Sequence, residues 1–272
     1  MTERRGARHR RQAALLERLY ERLNRPQMIA PDPLEQVLKF PEQADREIVG
    51  LMSAVLAYGN VTTIKASAES VLGRMGASPR EYLLERDAEA IRGDFNGFRH
   101  RVTGGEELAA LLLGARKAIR EAGSLGAAFE EGIEAGEDTL LPALERFVMR
   151  LRAFHGPAPW HLLPAPSSGS ACKRLNMLLR WMVRRDAVDP GGWAAGMESK
   201  LVIPLDTHMF RLARAMGLTT RKTADLRAAV EVTERFRVLR PEDPVRYDFA
   251  LTRLGIRGDL RPEQFISEWR AC

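Results

Sequence analysis

Cysteine is scarce: Cys172 and Cys272 are the only thiols in 272 residues. Two cysteines cannot hold the four-ligand clusters of iron–sulfur proteins, nor build a disulfide framework. A reducing, cytoplasmic setting is therefore expected, with no cofactor and no metal. Long apolar runs are also missing, and nothing approaches the ~18 residues of a membrane span, so no membrane partner is expected. The basic opening, Arg4-Arg5-Gly6-Ala7-Arg8-His9-Arg10-Arg11, lacks the apolar core of a secretory signal behind it. It reads as a disordered, solubilising arm able to add phosphate contacts. No stretch alternates apolar and polar residues long enough to predict a strand, and there is no internal repeat.

What is present is helical periodicity. Ala13 to Leu23 makes one apolar stripe, stopping near Pro26, and Ile48 to Leu56 makes a more apolar one that should be buried. Further helices are expected from Leu108 to Ile119, Leu140 to Phe154, about Ser170 to Arg185, Thr207 to Met216, Leu226 to Phe236 and Pro244 to Leu254. Breaks at Gly156-Pro157-Ala158-Pro159, Pro164–Gly169 and Asp189-Pro190-Gly191-Gly192 punctuate them. The fold class expected is all-α with short connections. Its expected divisions are an N-terminal arm and helix (1–45) packing with the C-terminal lobe, a central lobe (46–186) and that C-terminal lobe (187–272).

Lys and Arg total 42 against 36 Asp and Glu, a formal charge of +6 with a pI near 9.7. That balance attracts polyanions, nucleic acid first. Against it, two residues invite a chemical reading. Lys173 falls in the first turn of its helix, near the positive end of the macrodipole and beside Arg174, and both disfavour the ammonium form. A neutral amine is a nucleophile; a lysine on a solvated basic face is the plainer alternative. Asp206 follows Ile203-Pro204-Leu205 and opens the helix of Thr207-His208-Met209-Phe210-Arg211. It can cap that helix, and the same pinned, ionised carboxylate can stabilise a developing cation. Met209 at the third helical position excludes a capping box, and His208 reads as packing rather than as a base.

Ile203-Pro204-Leu205-Asp206-Thr207-His208-Met209-Phe210-Arg211 resembles the segment bearing the catalytic aspartate in the helix-hairpin-helix DNA glycosylase superfamily. Met52 to Ile64 is similar to that superfamily's buried helix and following turn, where Asn60 matches a small amide that wedges into the duplex. From about 45 to 260 the chain also looks like a bacterial family of unassigned function considered related to these enzymes. The Gly-rich hairpin that precedes the aspartate in most members is missing. The wide Lys173–Asp206 separation looks more like the archaeal 8-oxoguanine glycosylase branch.

The resemblance implies a two-lobed glycosylase-like fold with a cleft between the lobes. It implies a monomer that takes double-stranded DNA with a damaged base or abasic site, 8-oxoguanine foremost, and no cofactor. Lys173 takes the nucleophile's place and Asp206 the aspartate's. Extruding a base requires a wedge, a phosphate grip and a pocket. Asn60 is the candidate wedge, with an ordinary turn residue as the plainer alternative, and Arg174, Arg180 and Lys200 are candidates for the grip. Trp181, Trp193 and Phe98 are candidate stacking faces, each with a core role as the alternative. Asp248, a lone acid in Tyr247-Asp248-Phe249-Ala250-Leu251, is a candidate acceptor for a guanine-type base edge, with an exposed or salt-bridged helix residue as the equal alternative. A non-catalytic DNA or RNA binder on the same scaffold is the competing expectation.

Overall fold

A computed structural model describes residues 2–155, 160–257 and 260–272. The expected break at Gly156–Pro159 and the side chains of Arg4 and Arg5 lie outside the described residues. Helices account for 63% of the chain and strands for 3%, so the all-α class holds. In order they are α1 (Thr2–Leu23), α2 (Leu34–Val37), α3 (Gln43–Val55), α4 (Val61–Met75), α5 (Pro79–Glu85), α6 (Ala88–Asp94) and α7 (Gly105–Ala122). The series continues with α8 (Leu125–Glu130), α9 (Leu141–Leu151), α10 (Lys173–Val183), α11 (Thr207–Ala215), α12 (Leu226–Leu239), α13 (Asp248–Ile256) and α14 (Pro262–Ala271). Two antiparallel strands, β1 (Arg99–His100) and β2 (Thr103–Gly104), form a hairpin between α6 and α7. Strands of two residues are too short to show a period-two pattern, which is why the sequence hid them. No helix among the described residues is long and apolar enough to cross a membrane.

The basic opening is not a disordered arm: α1 begins at Thr2 and runs unbroken to Leu23. Its apolar stripe, Leu15, Leu16, Leu19 and Leu23, is buried and holds the helix against α12, α13 and α14. Glu17 fixes that docking, pairing with Arg246 at 2.6 Å and accepting from the Tyr247 hydroxyl at 2.9 Å.

Two buried helices organise the rest. Helix α3 packs along α10, close enough at Gly50 that a Cβ there would come within 2.6 Å of Met182 Cε. Helix α7 carries the longest apolar face and packs on α8 and α9. At Gly114 its backbone passes so near α9 that a Cβ would sit 2.0 Å from the Leu151 carbonyl oxygen. A backbone atom cannot step aside as a side-chain tip does. Gly114→Ala should therefore cost about 3 kcal/mol or more, above the ordinary overpacking range, and equilibrium denaturation of the two chains would measure it.

Candidate active-site cleft

Helices α10 and α11 present their N-termini to one cleft of about 870 Å³. The chain enters α10 through a 3-10 turn at Pro166–Ser168, then Gly169 at φ 76° and Cys172 at φ 47°, both left-handed. Ser170 Oγ accepts from the Cys172 amide at 3.2 Å, and the Asn176 side-chain amide donates to the Ala171 carbonyl at 3.0 Å. These bonds close the bend that makes Lys173 the first helical residue.

Lys173 lines the cleft, and its Nζ lies 3.4 Å from the Ala57 carbonyl, just past the end of α3. Burial pushes its amine below the ordinary lysine range and neighbouring Arg174 adds to this, while Asp206, Asp32 and Asp248 pull the other way. Desolvation wins, so the neutral, nucleophilic amine is favoured relative to a lysine in water. Of the causes expected from the sequence, Arg174 contributes, and the largest cause is burial.

Asp206 lines the same cleft. Its Oδ1 accepts from the Met209 amide at 2.7 Å, the N-cap of α11. Its second oxygen accepts no hydrogen bond from the described residues, so capping leaves half of the carboxylate free. Lys173 and Asp206 share the cleft without an ion pair within 4.0 Å. His208 also faces the cleft, with Nδ1 3.2 Å from an Arg211 nitrogen. It packs tightly on α13, where a Cβ at Gly255 would come 3.1 Å from His208 Cβ.

Asp248 lies on the cleft wall, almost fully buried, its Oδ2 accepting from Arg180 at 2.7 Å. Burial pushes its carboxyl up to about 6, with Asp206 and Asp189 adding to the rise and Arg180 opposing it. Its Oδ1 is buried without a partner. That atom is an acceptor awaiting a donor, which suits a bound group carrying N–H.

Several expected contacts fall elsewhere. Arg180 is 3% exposed and spends its guanidinium on Asp248 and Asp189, so it cannot grip a phosphate at the surface. Arg174 reaches the cleft but donates to the carbonyls of Val55 at 2.6 Å and His161 at 2.5 Å, with Tyr58 beneath it at 4.9 Å. It braces the end of α3 rather than clamping an anion. Trp181 is fully enclosed and off the cleft lining, so it offers no stacking face. Trp193, stacked on Phe129 at 5.6 Å, and Phe98, edge-on to Phe95 at 6.5 Å, are core residues as well. Lys200 lies off the cleft lining in a 3-10 turn. Asn60 is exposed beside the cleft, but its side chain caps α4 by accepting from the Thr62 amide at 2.8 Å.

Other groups were not foreseen. Arg253 is 1% exposed, donates to Asp32 Oδ2 at 2.7 Å and lies over Phe249 at 4.4 Å, with Arg180 at 5.6 Å from the same ring. Asp32 and Arg253 both line the cleft, as does Tyr58. A readable signal existed for Arg253: like Asp248, it is a lone charge in an apolar helix. Nothing local distinguishes Asp32 from a turn residue between prolines.

The family model described as "Protein of unknown function (DUF2400)" matches residues 32–257. No curated protein and no solved structure matches the chain. The matched span holds Asp32, Lys173, Asp206, Asp248 and Arg253.

Proposed function

We propose that this chain, which belongs to the DUF2400 family, is a DNA-repair N-glycosylase with an associated lyase step, acting on a damaged base in duplex DNA. One observation carries the reading. A desolvated lysine and a half-free aspartate, each opening its own helix, line one cleft of about 870 Å³, large enough to admit a nucleotide. In this reading the cleft separates a central lobe (46–186) from a C-terminal lobe (187–272), with α1 of the N-terminal segment (1–45) packed on the latter and its α2 on α3.

The chemistry follows from the groups. Neutral Lys173 Nζ attacks C1′ of the extruded nucleotide. The glycosidic C–N bond breaks, its electron pair leaving with the base, which takes up a proton. The free Asp206 oxygen faces the positive charge that develops on the sugar. Loss of the amine proton and opening of the sugar ring give a Schiff base at C1′. Removal of a C2′ proton then expels the 3′ phosphate by β-elimination. Asp248 Oδ1, unpartnered in the wall, is suited to accept from the N1–H or exocyclic amine of a guanine-type base, and 8-oxoguanine is the substrate proposed. Borohydride reduction of the imine on lesion-bearing and abasic duplexes tests the scheme: a covalent protein–DNA adduct is expected, and its absence across the panel rejects it.

Asp206→Asn separates capping from chemistry, because asparagine caps as well as aspartate. Stability should change by less than about 1 kcal/mol, while excision slows about a hundredfold or more through loss of the charge. Equal slowing and unfolding would reduce Asp206 to a cap. The pH profile carries a second signature. Adduct formation should climb as Lys173 deprotonates, with a midpoint below the ordinary 10.5 of lysine. It should fall again toward acid, as Asp248 takes up a proton near 6.

A binder without chemistry is the second reading. What favours it is the stretch between α10 and α11, where a non-helical segment of residues 184–206, broken only by a short 3-10 turn, stands in place of a Gly-rich hairpin. It predicts salt-dependent duplex binding and no adduct on any lesion.

A further inference from the structure

The hairpin of β1 and β2 carries features that the excision chemistry does not use. Its register pairs Arg99 with Gly104 and His100 with Thr103, leaving Arg101 and Val102 as a two-residue tip. Arg101 holds φ 54°, the left-handed region in which a Cβ crowds the backbone and glycine is the usual occupant. Val102 is 66% exposed, and Val61, on the cleft lining, is 47% exposed. Arg99 and Arg101 are also exposed and pair with no carboxylate among the described residues.

The tip is firmly mounted. Tyr58 donates from its hydroxyl to the His100 carbonyl at 2.8 Å and shares a 2.7 Å bond with Thr103 Oγ1. The buried His100 ring lies 2.8 Å from Ser67 Oγ of α4 and 3.1 Å from the Tyr58 carbonyl. The Arg101 side chain lies on Gly59, where a Cβ would come 2.7 Å from Arg101 Cδ. Tyr58 and Gly59 themselves line the cleft. The hairpin is thus fastened to the rim of the cleft.

Arg101 holds a left-handed backbone and Val102 lies in solvent, on a tip whose two exposed arginines pair with no carboxylate among the described residues, and these features point outward. Unpaired guanidinium groups match backbone phosphates, and an apolar residue beside them at the tip suits the minor groove. We propose that the hairpin tip is a duplex-binding element: Arg99 and Arg101 contact backbone phosphates beside the cleft, and Val102 lies in the minor groove. The proposal rests on the nucleic-acid reading of the cleft but not on the chemistry of Lys173.

The test uses the full chain and a duplex with a tetrahydrofuran abasic analogue next to a 2-aminopurine. Wild type is expected to bind and to change the 2-aminopurine fluorescence. Arg101→Gly should bind about tenfold more weakly and lower the slope of log Kd on log salt by about one. Its melting temperature should not fall, because glycine relieves the backbone at φ 54°. Val102→Asp should also bind about tenfold more weakly and leave the fluorescence at its free-duplex value. Variants that keep wild-type affinity, salt slope and fluorescence overturn the proposal. So does a wild-type chain that binds no duplex, whether or not it binds anionic phospholipid vesicles. Borohydride trapping on a single-stranded abasic oligonucleotide reads Lys173 separately. An adduct alongside unaltered duplex binding by the variants removes the hairpin alone, and hairpin-dependent binding without an adduct removes the lyase chemistry alone.

Discussion

Lys173→Gln should yield no borohydride-trapped adduct on any lesion or abasic substrate, and should lower excision by about a thousandfold or more. Glutamine keeps much of the side chain's length and hydrogen-bonding capacity but has no basic lone pair for C1′. Its effect on stability sets the prediction apart from that of a structural lysine. The folded-state pKa of Lys173 lies below its unfolded value, burial being the main cause. The unfolded chain therefore binds more protons between the two values, and the group withholds stability at every pH below about 10. Replacing it with a neutral side chain removes that burden. The variant should melt at or above the wild-type temperature at pH 7 while losing chemistry, the pattern of a side chain held for function rather than for folding. Duplex affinity should stay close to wild type. A full-strength adduct in the variant would remove Lys173 from the nucleophile's role, and a lower melting temperature would mark it as a structural residue.

The largest effect on stability should come from Arg184→Ala. Arg184 is 2% exposed and stands among three carboxylates: Asp186 and Asp243, each at 2.9 Å, and Asp189. Asp186 is tied in turn to the Tyr20 hydroxyl at 3.0 Å, so the cluster joins α1, α10 and the segment leading to α13. Removing the cation leaves Asp189 with Arg180 alone, and Arg180 is already shared with Asp248. Stranding buried charge in this way costs about 3–5 kcal/mol, on the order of 10 °C of melting temperature for a chain of this size.

The pH dependence has a definite sign. Burial raises the carboxyls of Asp189 and Asp243 above the ordinary range even with Arg184 present, and its loss raises them further. The folded variant then binds protons that the unfolded chain releases, so its deficit against wild type should narrow as pH falls from neutral toward the ordinary carboxyl range. Denaturant titrations at the two ends would show the deficit narrowing in acid. A deficit independent of pH would mean that lost packing, not stranded charge, dominates.

The cluster also explains why the arginines of α10 misled a reading by periodicity. Lys173, Arg180 and Arg184 are spaced as one helical side, and a basic side reads as solvated. Here that side faces α13 and the turn at Asp189, where aspartates distant in sequence meet it. Trp181 gives the same lesson in reverse, because an aromatic next to a basic residue reads as a stacking face until the packing encloses it.

Local chemistry made the helical class, α3, α7, α10 and α11, and the two helix starts at Lys173 and Asp206 legible from the residues alone. Periodicity and capping act over three or four residues, so the chain spells them out directly. Tertiary structure alone decided that the two helix starts share a cleft with Asp32, Asp248 and Arg253, that burial lowers the lysine, and that a two-stranded hairpin stands at the rim. Those features depend on which distant segments exclude water from one another, and desolvation belongs to a packed arrangement of helices rather than to any stretch of sequence.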